Sequence, residues 1–160
     1  MSKHFTPSEP FASDTRCLGS QDRFVFSLVK SSERVVLDVF VIEETGEVLA
    51  SVSSGGDRFT PAKFLETSVL PVYARRDRKL RYVQTNLGQD YADSDYQKLL
   101  TQEGISQVYD RQIARSSCED FARAFHAEFC EMGTINPFYR SAEDLKLDLI
   151  DWLNGFNRHL

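Results

Sequence analysis

The stretch RVVLDVFVIEETGEVLASVSS, residues 34–54, decides the fold because it contains two β-strands joined by a tight turn. Residues 34–44 are dominated by β-branched and aromatic side chains, which favour an extended backbone. The turn ETGE, residues 44–47, has a glycine where a hairpin needs one, and residues 47–54 return as a second strand. The stretch therefore predicts an antiparallel hairpin.

The sequence on both sides extends this hairpin into a mixed sheet. RFVFSLVKS, residues 23–31, alternates and predicts a preceding strand, which completes a three-stranded antiparallel meander. LRYVQT (80–85) and ISQVYD (105–110) predict two later strands. Capping residues, breakers and apolar spacing predict four helices, at residues 61–70, 94–104, 115–132 and 141–160. The order predicts an α/β domain whose mixed five-stranded sheet, with three antiparallel strands and then two parallel ones, is flanked by helices.

Two of the predicted helices have a distinct apolar face. In the helix at 115–132, an apolar residue recurs at helical spacing, and this face is expected to be core: Phe121, Phe125, Phe129 and Met132. The last helix begins with Ser141, which is predicted to cap it, and carries Trp152 and Phe156 on its apolar stripe. Both helices are therefore expected to pack on the sheet.

Length and composition suit a single domain in a reducing compartment. The chain has 160 residues, 41% of them hydrophobic, and no apolar run reaches the ~20 residues of a membrane helix. Residues 1–22 are polar and lack the apolar core of a secretory signal, so we expect a flexible arm followed by a folded domain over residues 23–160. The three cysteines are far apart and lack metal-ligand spacing, which favours a cytoplasmic location.

The charge of the chain bears on nucleic-acid binding. A net charge of −5 counts against strong autonomous binding to DNA. One basic stretch nevertheless exists, RRDRKLR, residues 75–81. It supplies five candidates for contact with DNA phosphates, namely Arg75, Arg76, Arg78, Lys79 and Arg81. The alternative is that this stretch is only a solvated helix end and loop.

Four stretches resemble the catalytic core of retroviral-type integrases and insertion-sequence transposases, which belong to the ribonuclease-H-like superfamily. VVLDVF (35–40) resembles the family's second strand, and QTNLGQDY (84–91) resembles the TDNG[ST]E[FY] turn after its fourth strand. SSCEDFARAFHAEF (116–129) resembles the helix of the last catalytic glutamate, and LIDWLNGFNRHL (149–160) is similar to the final helix. The resemblance covers residues 23–160 and implies a ribonuclease-H-like fold with strand order 3-2-1-4-5.

The resemblance also implies a chemistry, because this family uses three carboxylates to hold two Mg²⁺ or Mn²⁺ ions for in-line phosphoryl transfer. The matching positions here are Ser27, Asn86 and Glu119, of which only Glu119 is acidic. A site that lacks two of three charges should not hold two cations, so we expect no cofactor and no strand transfer. The implied function is an integrase- or transposase-core-like domain, associated with DNA integration or recombination. Its catalysis would be impaired, and it would act as a DNA- or protein-binding unit.

The resemblance further implies partners. DNA would bind through the basic stretch, and the protein partner would be an active parent recombinase. Family cores commonly form homodimers, and the last helix, with Trp152 and Phe156, is the candidate surface. Target-recognition segments lie outside such cores, and none is evident before residue 23 or after Leu160, so we expect a core alone.

Two alternatives stay open. A working metal-dependent strand-transferase or nuclease would need rearranged ligands for Mg²⁺ or Mn²⁺, drawn from Asp22, Asp38, Asp90 and Glu119. Asp38 could instead be a buried structural acid, and Glu119 could form a capping box with Ser116. In the second alternative the chain is an unrelated α/β protein-interaction domain, and its strand order would differ from 3-2-1-4-5.

Overall fold

Seven strands and six α-helices make up the part of the chain described by the computed structural model, which covers residues 17–29, 32–56, 58–109 and 117–160. The strands are β1 (Leu18–Ser27), β2 (Arg34–Ile42), β3 (Glu47–Ser54), β4 (Tyr82–Thr85), β5 (Ser106–Tyr109), β6 (Cys130–Glu131) and β7 (Thr134–Ile135). The helices are α1 (Pro61–Phe64), α2 (Leu70–Arg75), α3 (Gln89–Ala92), α4 (Ser94–Glu103), α5 (Ser117–Phe129) and α6 (Ala142–Arg158). Within these ranges no helix is both long and apolar enough to cross a membrane.

The central sheet has five strands in the order β3-β2-β1-β4-β5. β2 pairs antiparallel with both β1 and β3, whereas β4 pairs parallel with both β1 and β5. The predicted mixed α/β sheet, with its ribonuclease-H-like strand order, is thereby confirmed. The alternative of an unrelated topology does not hold. β6 and β7 form a separate two-stranded ladder.

The first strand begins earlier than the sequence predicts. β1 starts at Leu18, so residues 18–22 belong to the sheet and the predicted arm at 1–22 extends too far. The reason is pairing on both edges: Gly19 lies opposite Ile42 of β2 and opposite Val83 of β4. The polar run from Ser20 to Asp22 conceals this pairing, because it has no apolar alternation. Residues 1–16 of the predicted arm lie outside the described residues.

Helices cover both faces of the sheet, and each face has its own apolar core. Side chains that alternate along β2 enter different cores, since Val39 packs with α5 and α6 while Phe40 packs with α1, α2 and α4. From Val35 to Ile42, every residue of β2 is buried. Because both faces are covered, β2 reads as a continuous apolar run rather than as an alternating one.

The helical crossover between β3 and β4 begins as predicted and ends later. Thr60 caps α1, and its hydroxyl accepts a hydrogen bond from the backbone N–H of Lys63 at 3.1 Å. Pro71, a residue type that normally ends or kinks a helix, lies just after a π-helical turn (Leu65–Val69). That wider turn accommodates a residue with no N–H donor, so the helix continues to Arg75.

The predicted dimer surface on the last helix is half-buried against the domain itself, and its role in a dimer stays a prediction. Trp152 and Phe156 are half-buried and pack against Phe121, with ring centroids 5.4 and 5.2 Å apart. Edge-to-face and tilted contacts of this kind make an aromatic core between α5 and α6. The exposed apolar side chains of α6 are instead Leu147 and Ile150.

Met132 does not join the core face of α5. The helix ends at Phe129, three residues before it, and the chain turns into β6. Met132 lies in the β6–β7 turn with a φ of 54°, and its side chain is 98% exposed. Helical spacing holds only while the backbone is helical, so the stripe stops at Phe129.

Candidate active site

Asp22 and Asn86 meet at the end of the sheet where β4 terminates. Ser20 of β1 lies opposite Gln84 of β4 in a parallel register, which brings residues two positions further on to the same level. The Asn86 side-chain Nδ2 donates a hydrogen bond to Asp22 Oδ1 at 3.1 Å. Asp22 of β1 therefore lies beside Asn86, the residue that follows β4.

Ser27, predicted as the first site position, does not lie there. It is the last residue of β1 and pairs with Arg34 of β2. Five residues of extended chain, about 17 Å, separate it from Asp22. The residue of β1 that lies beside Asn86 is Asp22 and not Ser27, because β1 begins at Leu18 rather than at residue 23.

Glu119 lies in the first turn of α5. Phe26 of β1 packs against Phe125 of this helix, and because side chains alternate along a strand, Asp22 points to the same face of the sheet as Phe26. Burial raises the pKa of Asp22 above its ordinary value, and the negative charges of Glu119 and Asp90 raise it further. Hydrogen bonds from the Arg23 backbone N–H and from Asn86 oppose this rise only in part. Asp22, Asp90 and Glu119 thus form one electrostatic group beside Asn86.

Glu119 itself is partly exposed, at 41% of its side chain, and Arg123 approaches it one helical turn later at 4.0 Å. Asp90 is exposed in the first turn of α3. The predicted capping box of Glu119 with Ser116 falls outside the described residues, because Ser116 precedes the described start of α5.

The turn after β4 fixes the Asn86 side chain at both of its polar atoms. Asn86 Oδ1 accepts a hydrogen bond from the backbone N–H of Gly88 at 2.6 Å, while Nδ2 donates to Asp22. A Cβ atom on Gly88 would come within 2.7 Å of Asn86 Oδ1, so glycine permits this turn. This turn therefore holds the N–H donor of the Asn86 side chain against the Asp22 carboxylate.

These residues do not fit a pair of divalent cations. Mg²⁺ and Mn²⁺ sites need anionic oxygens close to both ions. Asn86 brings no charge, its oxygen already accepts from Gly88, and its nitrogen, not its oxygen, faces Asp22. Among the described residues, no three His, Cys, Asp or Glu side chains are arranged to hold a metal ion.

Asp38, a predicted alternative ligand, lies on the other face of the sheet. It is fully buried and accepts two hydrogen bonds from the Arg23 guanidinium, at 2.8 and 3.0 Å. Arg23 also donates to the backbone oxygen of Phe59 at 2.8 Å. Burial raises the pKa of Asp38, and the hydrogen bond and charge of Arg23 oppose the rise. Because successive side chains of β1 alternate, Arg23 and Asp38 face away from Asp22, and the structure does not bring Asp38 to the site.

The basic stretch at 75–81 also lies away from this site. It precedes β4, whereas Asn86 follows β4, so the two are at opposite ends of that strand. Arg76 forms a bidentate ion pair with Glu47, at 2.6 and 2.8 Å, and Arg78 pairs with Glu44. Arg75, Lys79 and Arg81 are exposed. Contact of this stretch with DNA stays a prediction.

Sequence reasoning named Asn86 and Glu119 and placed Asp22 only among the alternative ligands. The register of β1 against β4 would have found Asp22 directly, because it fixes which residue of β1 lies beside Asn86. Sequence reasoning missed Glu43, which binds the first turn of α5. Its only signal is its position directly after β2.

Known structures share this arrangement of strands and helices. The Mos1 transposase catalytic domain, solved with raltegravir and Mg, superimposes with a TM-score of 0.60 at 12% identity, covering 90% of this chain and 75% of that one. A chain of the simian T-cell lymphotropic virus intasome, solved in complex with the PP2A regulatory subunit B56 gamma, superimposes with a TM-score of 0.53 at 18% identity. That match covers 81% of this chain but only 45% of the viral chain.

No protein-family model and no curated protein matches the sequence. The chain has the ribonuclease-H-like fold of integrase and transposase catalytic cores. It spans less than half of the intasome chain to which it is similar.

Proposed function

We propose that this chain is an integrase- or transposase-core-like domain of DNA integration or recombination with impaired catalysis, and that it acts by binding DNA or protein. One observation carries the proposal: the Asn86 amide donates a hydrogen bond to Asp22 where the family has a second carboxylate. Asn and Asp have nearly the same shape, but the amide satisfies Asp22 without any cation.

The chemical consequence follows from charge. Two carboxylates at Asp22 and position 86 would repel each other unless a cation lay between them. Here the N–H of Asn86 takes that place, and Arg123 is a nearby cation for Glu119. These side chains supply no route to two-metal strand transfer.

The test is to restore the acid. Isothermal titration with Mn²⁺ should give no heat for the wild-type chain and a micromolar site for Asn86→Asp, because the variant adds a charge beside Asp22 and removes its N–H donor. Adding Glu119→Gln to that variant should weaken the new site. The matched control is Asn136→Asp, since Asn136 forms a similar turn by accepting from the N–H of Phe138, far from the site in sequence.

A second candidate function is an active enzyme with rearranged carboxylates. It is favoured by the charges of Glu119 and Asp90, which both act on Asp22. Under this candidate the wild-type chain would bind Mn²⁺ with micromolar affinity and nick DNA, and Glu119→Gln would abolish both. That result would overturn the proposal of impaired catalysis.

The binding role is proposed for three partners. DNA would contact the exposed members of the basic stretch, Arg75, Lys79 and Arg81. An active recombinase of the same fold and a second copy of this chain are the proposed protein partners. A homodimer through the last helix would use the part of Trp152 and Phe156 that α5 leaves exposed.

A further inference from the structure

One carboxylate oxygen joins three elements next to the candidate site. Glu43 follows β2, and its Oε2 accepts a hydrogen bond from the Ser117 hydroxyl, the first residue of α5, at 2.6 Å. The same Oε2 accepts a hydrogen bond from the Ser20 hydroxyl of β1. The start of α5 is therefore tied to β1 through Glu43.

The second residue of α5 strengthens this attachment. Cys118 is 1% exposed, and its thiol contacts the backbone oxygen of Ser20 at 3.4 Å. Glu119 is the next residue, and Asp22 lies two positions after Ser20 on β1. The contacts of Glu43 and Cys118 thus fix the two backbone segments that carry the acids of the site.

We propose that Glu43 is a positioning residue of the candidate site, which holds the first turn of α5 on β1 and thereby places Glu119 beside Asp22. The proposal assumes that this end of the sheet is the functional site, and it depends on the proposed function in no other way. The aromatic contacts of α5 begin at Phe121, so they fix the body of the helix rather than its first residues. An acid near a helix N-terminus also interacts favourably with the helix dipole.

On Asp22, Glu43 acts through geometry rather than through its charge. Its Oε2 already accepts from two hydroxyl groups, and the acids whose charges act on Asp22 are Glu119 and Asp90. A glutamine at this position keeps an oxygen that can accept both hydrogen bonds, whereas alanine removes it. The two substitutions therefore separate the hydrogen bonds from the charge.

The first measurement is the alkylation rate of Cys118 in the full chain with Cys17→Ser and Cys130→Ser. Glu43→Ala should raise the rate about tenfold, because the first turn of α5 opens locally. Glu43→Gln keeps the acceptor oxygen but removes a charge that helps to raise the pKa of the Cys118 thiol, so its rate should rise far less than that of Glu43→Ala. The control Glu44→Ala, which removes the exposed neighbouring acid that pairs with Arg78, should stay near the wild-type rate. A local opening is recognised by a rate that barely depends on urea.

The second measurement reports the site without any metal. The NMR signals of the Asn86 side-chain amide, which donates to Asp22, should move in Glu43→Ala in the same direction as in Glu119→Ala, and stay in place in Glu43→Gln. Unchanged Asn86 signals in Glu43→Ala overturn the positioning role, even where Cys118 reacts faster. Unchanged Cys118 reactivity overturns the attachment itself. Neither readout depends on the Mn²⁺ titration, so failure of the proposed function stays distinguishable.

Discussion

At the scale of single residues, Asn86 and Asp22 show how one atom changes the chemistry of a site. The side chains of asparagine and aspartate differ by an NH₂ group in place of an oxygen, and so by a donor and a charge. In this domain the donor faces Asp22 at 3.1 Å. The pair is therefore a hydrogen bond between two protein groups.

The raised pKa of Asp22 predicts a pH dependence of stability. Because the folded chain holds this proton more tightly than the unfolded chain, ionisation of Asp22 costs stability. The free energy of unfolding should therefore fall as the pH rises from below the ordinary value of 3.8 through the raised pKa, and the deficit should persist at neutral pH. Asp22→Asn should be more stable than wild type at pH 7, by on the order of 0.5 kcal/mol.

Urea denaturation across pH checks this expectation. The gain of Asp22→Asn should disappear in acid, below about pH 3, where the wild-type carboxyl is also neutral. The control is Asp151→Asn, which removes an exposed acid of α6 away from the group of Asp22, Asp90 and Glu119. If the Asp22→Asn chain is less stable than wild type at neutral pH, the Asp22 carboxylate stabilises the folded chain and the expectation is wrong.

At the scale of elements, α6 closes part of an open sheet edge. β3 is an edge strand, and its Val48 exchanges two hydrogen bonds of 2.9 Å with the side-chain amide of Asn157. The amide thereby imitates a neighbouring strand. By the two-residue period of the ladder, the backbone groups of Ala50 and Val52 point outward in the same way. Exposed edges of this kind promote pairing between chains. Asn157 therefore protects part of this edge against such pairing.

Asn157→Ala should loosen this edge. We expect a loss of about 1–3 kcal/mol in the free energy of unfolding, because two buried backbone groups lose their partners. We also expect concentration-dependent self-association in sedimentation velocity. Asn154→Ala, on the exposed side of the same helix, is the matched control. A variant that stays monomeric and as stable as the control would show that the edge needs no such cover.

At the scale of the whole molecule, charge is distributed unevenly along the sheet. The acids Asp22, Asp90 and Glu119 gather at the end where β4 terminates, and the basic stretch lies at the other end of β4. Glu47 and Glu44 form ion pairs with Arg76 and Arg78 and so reduce the positive charge of the basic stretch. With a net charge of −5, any DNA should meet the end of the domain that lies away from the acids.

This arrangement predicts weak, salt-sensitive DNA binding. Replacing Arg75, Lys79 and Arg81 together by alanine should reduce affinity about tenfold or more and lower the salt slope by roughly one for each phosphate that is no longer neutralised. Fluorescence anisotropy with a DNA duplex at several salt concentrations measures both. The control replaces three other exposed cations, Arg140, Lys146 and Arg158, which lie outside the basic stretch. Equal loss in the two variants would mean that binding depends on total charge alone.

The sequence determined the class of fold and part of the site. Hydrophobic runs and turn residues are local signals, so the β2–β3 hairpin, the succession of strands and helices along the chain and Asn86 after β4 could all be read from residues close in sequence. The order of the strands in the sheet came from the family resemblance. The Thr60 and Ser141 caps were predictable for the same reason, since a cap bonds only three residues ahead.

Only the tertiary structure decided which side chains meet. Asp22 replaced Ser27 because the register of β1 is set by pairing with β4, some sixty residues away, and no local pattern reports such pairing. Trp152 and Phe156 proved half-buried because α5 packs against the stripe that carries them. Periodicity tells which side of an element is apolar, but what covers that side depends on long-range packing.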